Sequence, residues 1–382
     1  SYDDDAMSLE KTDSNQEIES ITNILCDILN PNQIIDFDID DLINRFGKFY
    51  EKMLANNEKA LKCYTKSLEL QKNGNETNRN RLKMAQSLTN IGSVYFKQRN
   101  YEKAKQVHLE ALGVQKEIYG HHSDHSDLAL TLHHIANDWR SLGDYKSSLE
   151  YDVKAFEMRT RLHNGSDHRD LALALYNIGI DYFYLKDYSK SLEYYSKAFE
   201  MRKRIHNNSD HPELALNLYN IGMDHFYLAD YNKTLEYYLE AYKMRNRIHN
   251  GSDHPELALN LYNIGVAHFY LKEYGKSLEY YLKAYDMRNR IHNGSDHPEL
   301  ALNLYNIGID YYYLKDYTKS IECYLKAYEM QLRIHKESAH QDLVNSLNNI
   351  SYAYNNLNDM TNYNKYSSLA KSMKERLDRQ QN

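Results

Sequence analysis

The hydrophobic and polar positions of this chain follow one pattern that returns every 43 residues. Within residues 252–293, apolar side chains recur at intervals of three and four residues over two stretches, 257–271 and 278–291. This spacing places them on one face of an α-helix, whereas a half-buried strand would alternate apolar and polar residues. The pattern therefore predicts two helices per unit, at about 255–271 and 274–292.

The repetition is also literal. The phrase SDHPELALNLYNIG stands unchanged at residues 209–222, 252–265 and 295–308. The same 43-residue register continues through six histidines, which are His125, His168, His211, His254, His297 and His340. A fixed period of this length indicates that each unit is one supersecondary element, which buries its apolar face only against the next unit. The sequence thus predicts an all-α solenoid of helical hairpins rather than a globule.

The ends of the helices carry polar residues that suit helix termini. Asp253 precedes the first helix of its unit, and Glu256 follows three residues later, so we expect an N-cap with a capping box. Arg288 and Arg290 stand in the last turns of the second helix, where cations favour the negative end of the helix dipole. We expect these arginines to serve the helix end and to pair with acidic residues of their own helix.

The repeats divide the chain into three segments. Helical units account for residues 38–377. Residues 1–37 are acidic and polar and are expected to form a disordered tail, with a short amphipathic capping helix at about 18–30. Residues 378–382 are expected to be a polar C-terminal tail.

Composition excludes some classes of protein. The net charge of −7 argues against a binder of phosphate backbones, which would need a basic stripe. The three cysteines are not arranged in a CxxC motif or an even framework, which favours a reducing compartment. The chain has no apolar run long enough for a membrane span, and no leader precedes the repeats. We therefore expect a cytoplasmic protein without a membrane partner.

The repeated unit resembles the tetratricopeptide repeat (TPR). The segments DHPELALNLYNIGVAHFY and YGKSLEYYLKAY are similar to the long form of this repeat found in kinesin light chains and nephrocystin-like proteins. With Gly265 as the eighth position, the small residues expected at the eighth, twentieth and twenty-seventh positions are Gly265, Ser277 and Ala284. The resemblance covers nearly all of residues 38–377 and implies a right-handed superhelix of about eight hairpins. The coiled coil of kinesin light chains has no counterpart, so kinesin association is not implied.

The resemblance also implies a peptide-binding groove. In the family, positions 2, 5, 6, 9, 12 and 13 of each first helix line the concave surface, where a peptide segment or a helix of a partner protein binds. Asparagine amides there can hydrogen-bond the backbone of an extended segment, and tyrosines provide amphipathic contact area. The candidate groove residues are Tyr176, Asn177, Tyr184, Tyr219, Asn220, Tyr227, Tyr262, Asn263, Tyr270, Tyr305, Asn306 and Tyr313. In the alternative interpretation, the rings pack between adjacent first helices and the asparagines bridge the units.

Metal binding and catalysis are both disfavoured. Each loop between units holds two histidines near a carboxylate, such as His249 and His254 near Asp253, and this set could bind zinc. The same residues form the helix-capping phrase of the family, and successive loops lie about 10 Å apart, too far to share one ion. The sequence has no phosphate loop, GxSxG or HExxH motif, and identical copies do not make the unique constellation of an active site. We expect no metal, no cofactor and no enzymatic activity.

The sequence is best explained by a non-catalytic protein–protein interaction scaffold or adaptor. Two alternatives remain. Near-identical repeats can stack end to end or embrace a second copy, which would make a self-assembling structural homo-oligomer. Tyrosines can also stack on the bases of single-stranded RNA, although the negative net charge opposes nucleic acid binding.

Overall fold

The computed structural model describes residues 39–74, 77–120, 123–336 and 338–381. In these ranges it contains sixteen α-helices and no strand, as the hydrophobic pattern predicts. The helices are α1 (Ile39–Lys52), α2 (Asn57–Lys72), α3 (Asn78–Lys97), α4 (Tyr101–Tyr119), α5 (Ser126–Ser141), α6 (Tyr145–Leu162), α7 (Arg169–Tyr184), α8 (Tyr188–Ile205), α9 (Pro212–Tyr227), α10 (Tyr231–Ile248), α11 (Pro255–Tyr270), α12 (Tyr274–Ile291), α13 (Pro298–Tyr313), α14 (Tyr317–Ile334), α15 (Gln341–Asn356) and α16 (Met360–Gln381).

Of the two predicted tails, only the C-terminal one falls within the described residues. The expected N-terminal tail at 1–37, with its capping helix at 18–30, lies outside the described residues. At the other end, α16 continues to Gln381, so residues 378–381 belong to the last helix rather than to a tail. Among the described helices, none is both long and apolar enough to cross a lipid bilayer.

The described residues form two compact units, one up to Val114 and one from Gln115, whose boundary falls within α4. In the first unit, α1 packs on α2 and α2 packs on α3. In the second unit, each first helix from α5 to α15 packs on the second helix of its own hairpin, and each second helix from α6 to α14 also packs on the next first helix. Each hairpin therefore buries its apolar faces partly within itself and partly against its neighbours.

Within a hairpin, a glycine of the first helix faces a large ring of the second helix, which allows the two helices to pack closely. A Cβ atom placed on Gly222 of α9 would lie 2.7 Å from the Tyr238 ring of α10, which is closer than van der Waals contact permits. In the hairpin of α5 and α6, Ala136 stands in place of the glycine and Asp152 in place of the tyrosine, so a residue larger than glycine faces one smaller than tyrosine. The corresponding pairs elsewhere in the second unit are Gly179 with Tyr195, Gly265 with Tyr281, and Gly308 with Tyr324.

The N-cap of each first helix from α5 to α15 is a histidine, and the prediction of Asp253 as a cap is wrong. The Nδ1 atom of His254 accepts a hydrogen bond from the backbone N–H of Glu256 at 3.2 Å. Asp253 lies one residue too early to reach that N–H. It instead accepts two hydrogen bonds from the Arg290 guanidinium, at 2.7 Å from Nε and 2.9 Å from Nη2. This ion pair joins the start of α11 to the end of α12.

The arginine two residues earlier also differs from expectation, because it is buried and contacts neighbouring helices rather than acidic residues of its own helix. Arg288 of α12 donates from Nη1 to the Asn303 side-chain oxygen of α13 at 2.5 Å. Its guanidinium carbon lies 4.9 Å from the centre of the Tyr262 ring of α11. One cation thus connects three consecutive helices. Arg245 and Arg202 make the same contacts one and two repeats earlier, respectively.

Candidate functional site

The candidate groove positions of α7, α9, α11 and α13 form a surface without a formal charge, which we call the uncharged strip. It consists of positions 2, 5, 6, 9, 12 and 13 of these four first helices. In α9 the six residues are Leu216, Tyr219, Asn220, Met223, Phe226 and Tyr227, and their counterparts stand 43 residues before and after. All 24 residues are Leu, Ile, Val, Met, Phe, Tyr or Asn.

The asparagines of the strip link consecutive repeats. Three of the four donate from Nδ2 to the hydroxyl of the position-5 tyrosine in the preceding repeat. The bonds are Asn220 to Tyr176 at 2.8 Å, Asn263 to Tyr219 at 2.7 Å and Asn306 to Tyr262 at 2.7 Å. Asn177 instead approaches Nδ1 of His133 at 3.2 Å, because the preceding repeat has histidine at position 5. The amides therefore have a structural partner, as the packing interpretation anticipates.

The position-5 tyrosines are half-buried supports of the strip. The Tyr262 ring lies between the Arg288 guanidinium and the Tyr281 ring, 5.3 Å from the centre of the latter. Burial raises the pKa of the Tyr262 phenol, and the hydrogen bond from Asn306 opposes only part of that rise. Tyr176, Tyr219 and Tyr305 are half-buried in the same way. These side chains hold repeats together and are less exposed than the position-13 tyrosines.

The position-13 tyrosines are the exposed members of the strip. Tyr184, Tyr227, Tyr270 and Tyr313 are between 50% and 53% exposed. Each stacks on the tyrosine that begins the second helix of the preceding repeat, as Tyr227 does on Tyr188 at 4.8 Å. The edge of a phenylalanine also contacts each of the last three; for Tyr227 it is Phe183, at 5.3 Å. The rings are therefore open to solvent while their positions are restrained.

Exposed leucines and a cavity complete the surface. The position-2 residues Leu216, Leu259 and Leu302 are 36% to 45% exposed. A cavity of about 320 Å³ opens between α11, α13 and α15, and its lining includes Phe269 and Tyr352. The strip thus combines exposed apolar side chains with a recess large enough for a side chain of a ligand.

Replacing Asn263 and Tyr262 together by alanine is expected to lower the free energy of unfolding by roughly 3 kcal/mol or more. The change removes two inter-repeat hydrogen bonds and the ring that lies against Arg288. Urea denaturation followed by circular dichroism measures the loss. Tyr270→Ala is the matched control, because its ring is half exposed and we expect a loss below about 1 kcal/mol. Equal stability of the double variant and the wild type would contradict the structural role.

Comparison with known proteins agrees with this architecture. Residues 127–204, 213–290 and 258–333 match the tetratricopeptide repeat, and residues 84–127 match a second form of that repeat. The first set alone covers more than half of the chain. The chain belongs to the tetratricopeptide-repeat family. The family predicted from the repeat pattern is therefore confirmed.

Solved structures of other TPR proteins are similar to this chain. The apo form of RapI superposes with a TM-score of 0.62 and 15% identity over 96% of this chain and 95% of RapI. The apo form of the quorum sensor NprR from B. thuringiensis gives 0.59 and 16% over 94% of each chain. A putative kinesin light chain from Podosopora anserina, with nearly identical TPR-like repeats, gives 0.49 and 12% over 56% of this chain and all of that one. Identities this low show the fold alone. No curated protein is detectably similar in sequence.

Three buried carboxylates that lie behind the uncharged strip were not identified from the sequence. Asp181, Asp224 and Asp310, at position 10 of their first helices, are 0% exposed. Asp181 is paired with Arg140, whose Nε lies 2.8 Å from Oδ1 and which also contacts Asp152. Asp224 and Asp310 have no ion pair among the described residues. The signal was available, since an acidic residue on the core face of a helix recurs at 43-residue intervals.

Desolvation dominates the acidity of these carboxyls. Burial raises the pKa of Asp181 to about 6, although Arg140 counteracts it. Burial raises the pKa of Asp224 and of Asp310 to about 7, which the serines Ser191 and Ser277 offset only in part. The corresponding position of α11 is Ala267, so a TPR hairpin of this chain folds without the carboxyl.

The histidine pairs between TPR units serve as caps and packing contacts. The rings of His249 and His254 stack with centres 3.7 Å apart and planes 14° apart, and Nδ1 of His254 accepts the capping hydrogen bond. Among the described residues, five loops bring two histidines and a carboxylate together, with one ligand atom from each within 4.8 Å of the others. Imidazole lone pairs lie in the ring plane, so two parallel stacked rings direct them side by side. This conformation does not present a convergent tetrahedral ligand set.

Proposed function

We propose that the protein is a non-catalytic interaction scaffold whose uncharged strip binds a segment of a partner protein. The observation that carries this proposal is the exposure of leucine and tyrosine side chains on consecutive first helices without an intervening charge. Soluble proteins seldom expose contiguous apolar surface of this kind unless it is an interaction site. Solenoids of stacked repeats use such extended surfaces for binding.

We divide the candidate groove residues into two roles. We assign direct contact to the exposed position-13 tyrosines and position-2 leucines, such as Tyr227 and Leu259. We assign a supporting role to the position-5 tyrosines and the asparagines, since Asn263 and Tyr219 already bond to each other. Near-identical copies of one surface support binding rather than catalysis, which requires a unique constellation of groups.

Selection of peptides from a random library on the purified protein tests the proposal. We expect enriched peptides to bind the wild type and to lose at least tenfold in affinity for the variant Leu216→Glu/Leu259→Glu. Each new carboxylate would have to be buried under the ligand without a partner. Leu282→Glu is the matched control, since Leu282 is similarly exposed but lies on the second helix α12.

Two results would contradict the proposal. One is peptides that bind the strip variant and the wild type equally well, which would place the binding surface elsewhere. The other is the absence of peptide enrichment together with a concentration-dependent dimer in light scattering that the strip variant abolishes. That result would assign the strip to self-association.

A further inference from the structure

We propose that the strip binds an uncharged extended segment in the polyproline II conformation, with a bulky apolar residue at every third position. This inference rests on the proposed function and specifies the chemistry of the partner. Three features of the strip lead to it: the spacing of its exposed rings, its lack of charge and its unused hydrogen-bond donors.

The exposed tyrosines recur at the spacing of a polyproline II turn. Phe183 lies 5.6 Å from Tyr184 and 5.3 Å from Tyr227, so these tyrosine rings are at most 10.9 Å apart. Phe226 lies 5.7 Å from Tyr227 and 5.1 Å from Tyr270, which limits the next interval to 10.8 Å. Neighbouring helices pack about 8–10 Å apart, which is an interval of the same size. Three residues of polyproline II advance about 9.3 Å and return the side chain to the same face.

The absence of charge restricts the side chains that can face the strip. A charged ligand residue would lose its hydration against leucine and tyrosine without gaining an ion pair. The charged residues closest to the strip already have partners, as the buried Arg288 does in Tyr262 and Asn303. Glu256 at the start of α11 lies 3.3 Å from Arg245, for example. Contact residues of the partner are therefore apolar, and the cavity between α11, α13 and α15 suits a branched side chain such as leucine.

Hydrogen-bond donors distinguish an extended ligand from a helical one. An α-helix with a heptad pattern also presents a side chain about every 10.5 Å, so spacing alone does not separate the two. The Tyr219 hydroxyl accepts from Asn263, which leaves its own hydrogen and the second amide N–H of Asn263 to donate. A helical ligand has its carbonyls bonded internally and would cover these donors with apolar side chains. A polyproline II segment has unbonded carbonyls, and proline contributes no competing N–H.

The rigidity of the rings favours the same ligand. Tyr227 is restrained by Tyr188 on one face and by the edge of Phe183, so binding does not have to order it. A proline-rich segment is likewise ordered before it binds, and aromatic-lined grooves are the usual receptors for such segments. Both partners thus lose little conformational freedom.

Fluorescence anisotropy with synthetic peptides tests the inference on the full chain. The probe is a fluorescein-labelled, amidated (Pro-Pro-Leu)4 peptide. The first control has the same composition with the leucines shuffled out of the three-residue period. The second is an uncharged Ala/Gln helix with leucine at every seventh residue. We expect the probe to bind at least tenfold more tightly than either control, and replacement of one leucine by aspartate to weaken it at least tenfold.

Variants of the protein locate the binding. Tyr227→Ala and Tyr270→Ala are each expected to weaken the probe about tenfold, while Leu282→Ala on α12 leaves it unchanged. Circular dichroism melting identifies any variant that fails to fold; Tyr227→Phe, which keeps the ring, is then expected to retain binding within about threefold.

The inference is overturned if the shuffled or the helical peptide binds as tightly as the probe. It is also overturned if the tyrosine variants bind the probe like the wild type. Library peptides that require the strip but lack the three-residue period would overturn the inference while leaving the proposed function intact. If no peptide binds the protein, including those from the library, both the inference and the proposed function are overturned.

Discussion

Replacing Gly265 by alanine is expected to destabilise the protein by up to about 3 kcal/mol, although alanine is the better helix former. An added Cβ would lie 2.8 Å from Cδ1 and 2.9 Å from Cε1 of the Tyr281 ring. That ring is buried, so its movement would disturb the packing around it. Urea denaturation, followed by the helical circular dichroism signal, measures the change.

Two comparisons separate overpacking from any general effect of the substitution. Gly275, in the first turn of α12, has no atom within 4 Å of an added Cβ, so Gly275→Ala is expected to stabilise by about 0.5–1 kcal/mol. In a Tyr281→Ala background the obstruction is gone, and Gly265→Ala is expected to become neutral or stabilising. If Gly265→Ala destabilised equally in both backgrounds, the ring would not be the cause.

The protein is also expected to lose stability as the pH rises from about 5 to 8 because of its buried carboxyls. The pKa of Asp224 and of Asp310 is raised by burial from 3.8 in an exposed carboxyl to about 7. The folded state therefore binds these protons more tightly than the unfolded chain. By linkage, the free energy of unfolding falls through the interval between the two pKa values, and the loss is complete above about pH 7. For one carboxyl the full loss is on the order of 4 kcal/mol.

Asp224→Ala isolates this contribution, since Ala267 already occupies the same position of α11. The difference in the free energy of unfolding between the variant and the wild type is expected to shift by roughly 2–3 kcal/mol in favour of the variant from pH 5 to pH 8. Histidines work in the opposite direction. Burial lowers the pKa of His211 and of His335, but this contribution cancels in the difference between the two proteins.

The same substitution at the exposed Asp286 of α12 serves as the control, and its difference from the wild type is expected to be small at every pH. Denaturation curves at several pH values give the result directly. A difference between Asp224→Ala and the wild type that does not vary with pH would show that the carboxyl ionises normally in the folded protein.

Much of the candidate site was predictable because equivalent residues recur at a fixed interval. The 43-residue period places Tyr219, Asn220 and Tyr227 at corresponding points of every hairpin, and the family resemblance assigns them to one surface. Periodicity does not say how far a side chain projects. Tyr219 and Tyr227 are both tyrosines of α9, yet the first is largely covered by neighbouring side chains and the second is 52% exposed.

The sequence by itself determined the helices, the hairpins and their register, because helical periodicity and repetition are local properties that a single unit displays in full. Only the tertiary structure decided which partners these residues meet. Asn220 donates a hydrogen bond to Tyr176, which is 44 residues away, and Arg290 forms an ion pair with Asp253, which is 37 residues away. Such contacts depend on how one hairpin packs against the next. For the same reason the burial that raises the pKa of Asp224 appears only when two second helices enclose the first helix that carries it.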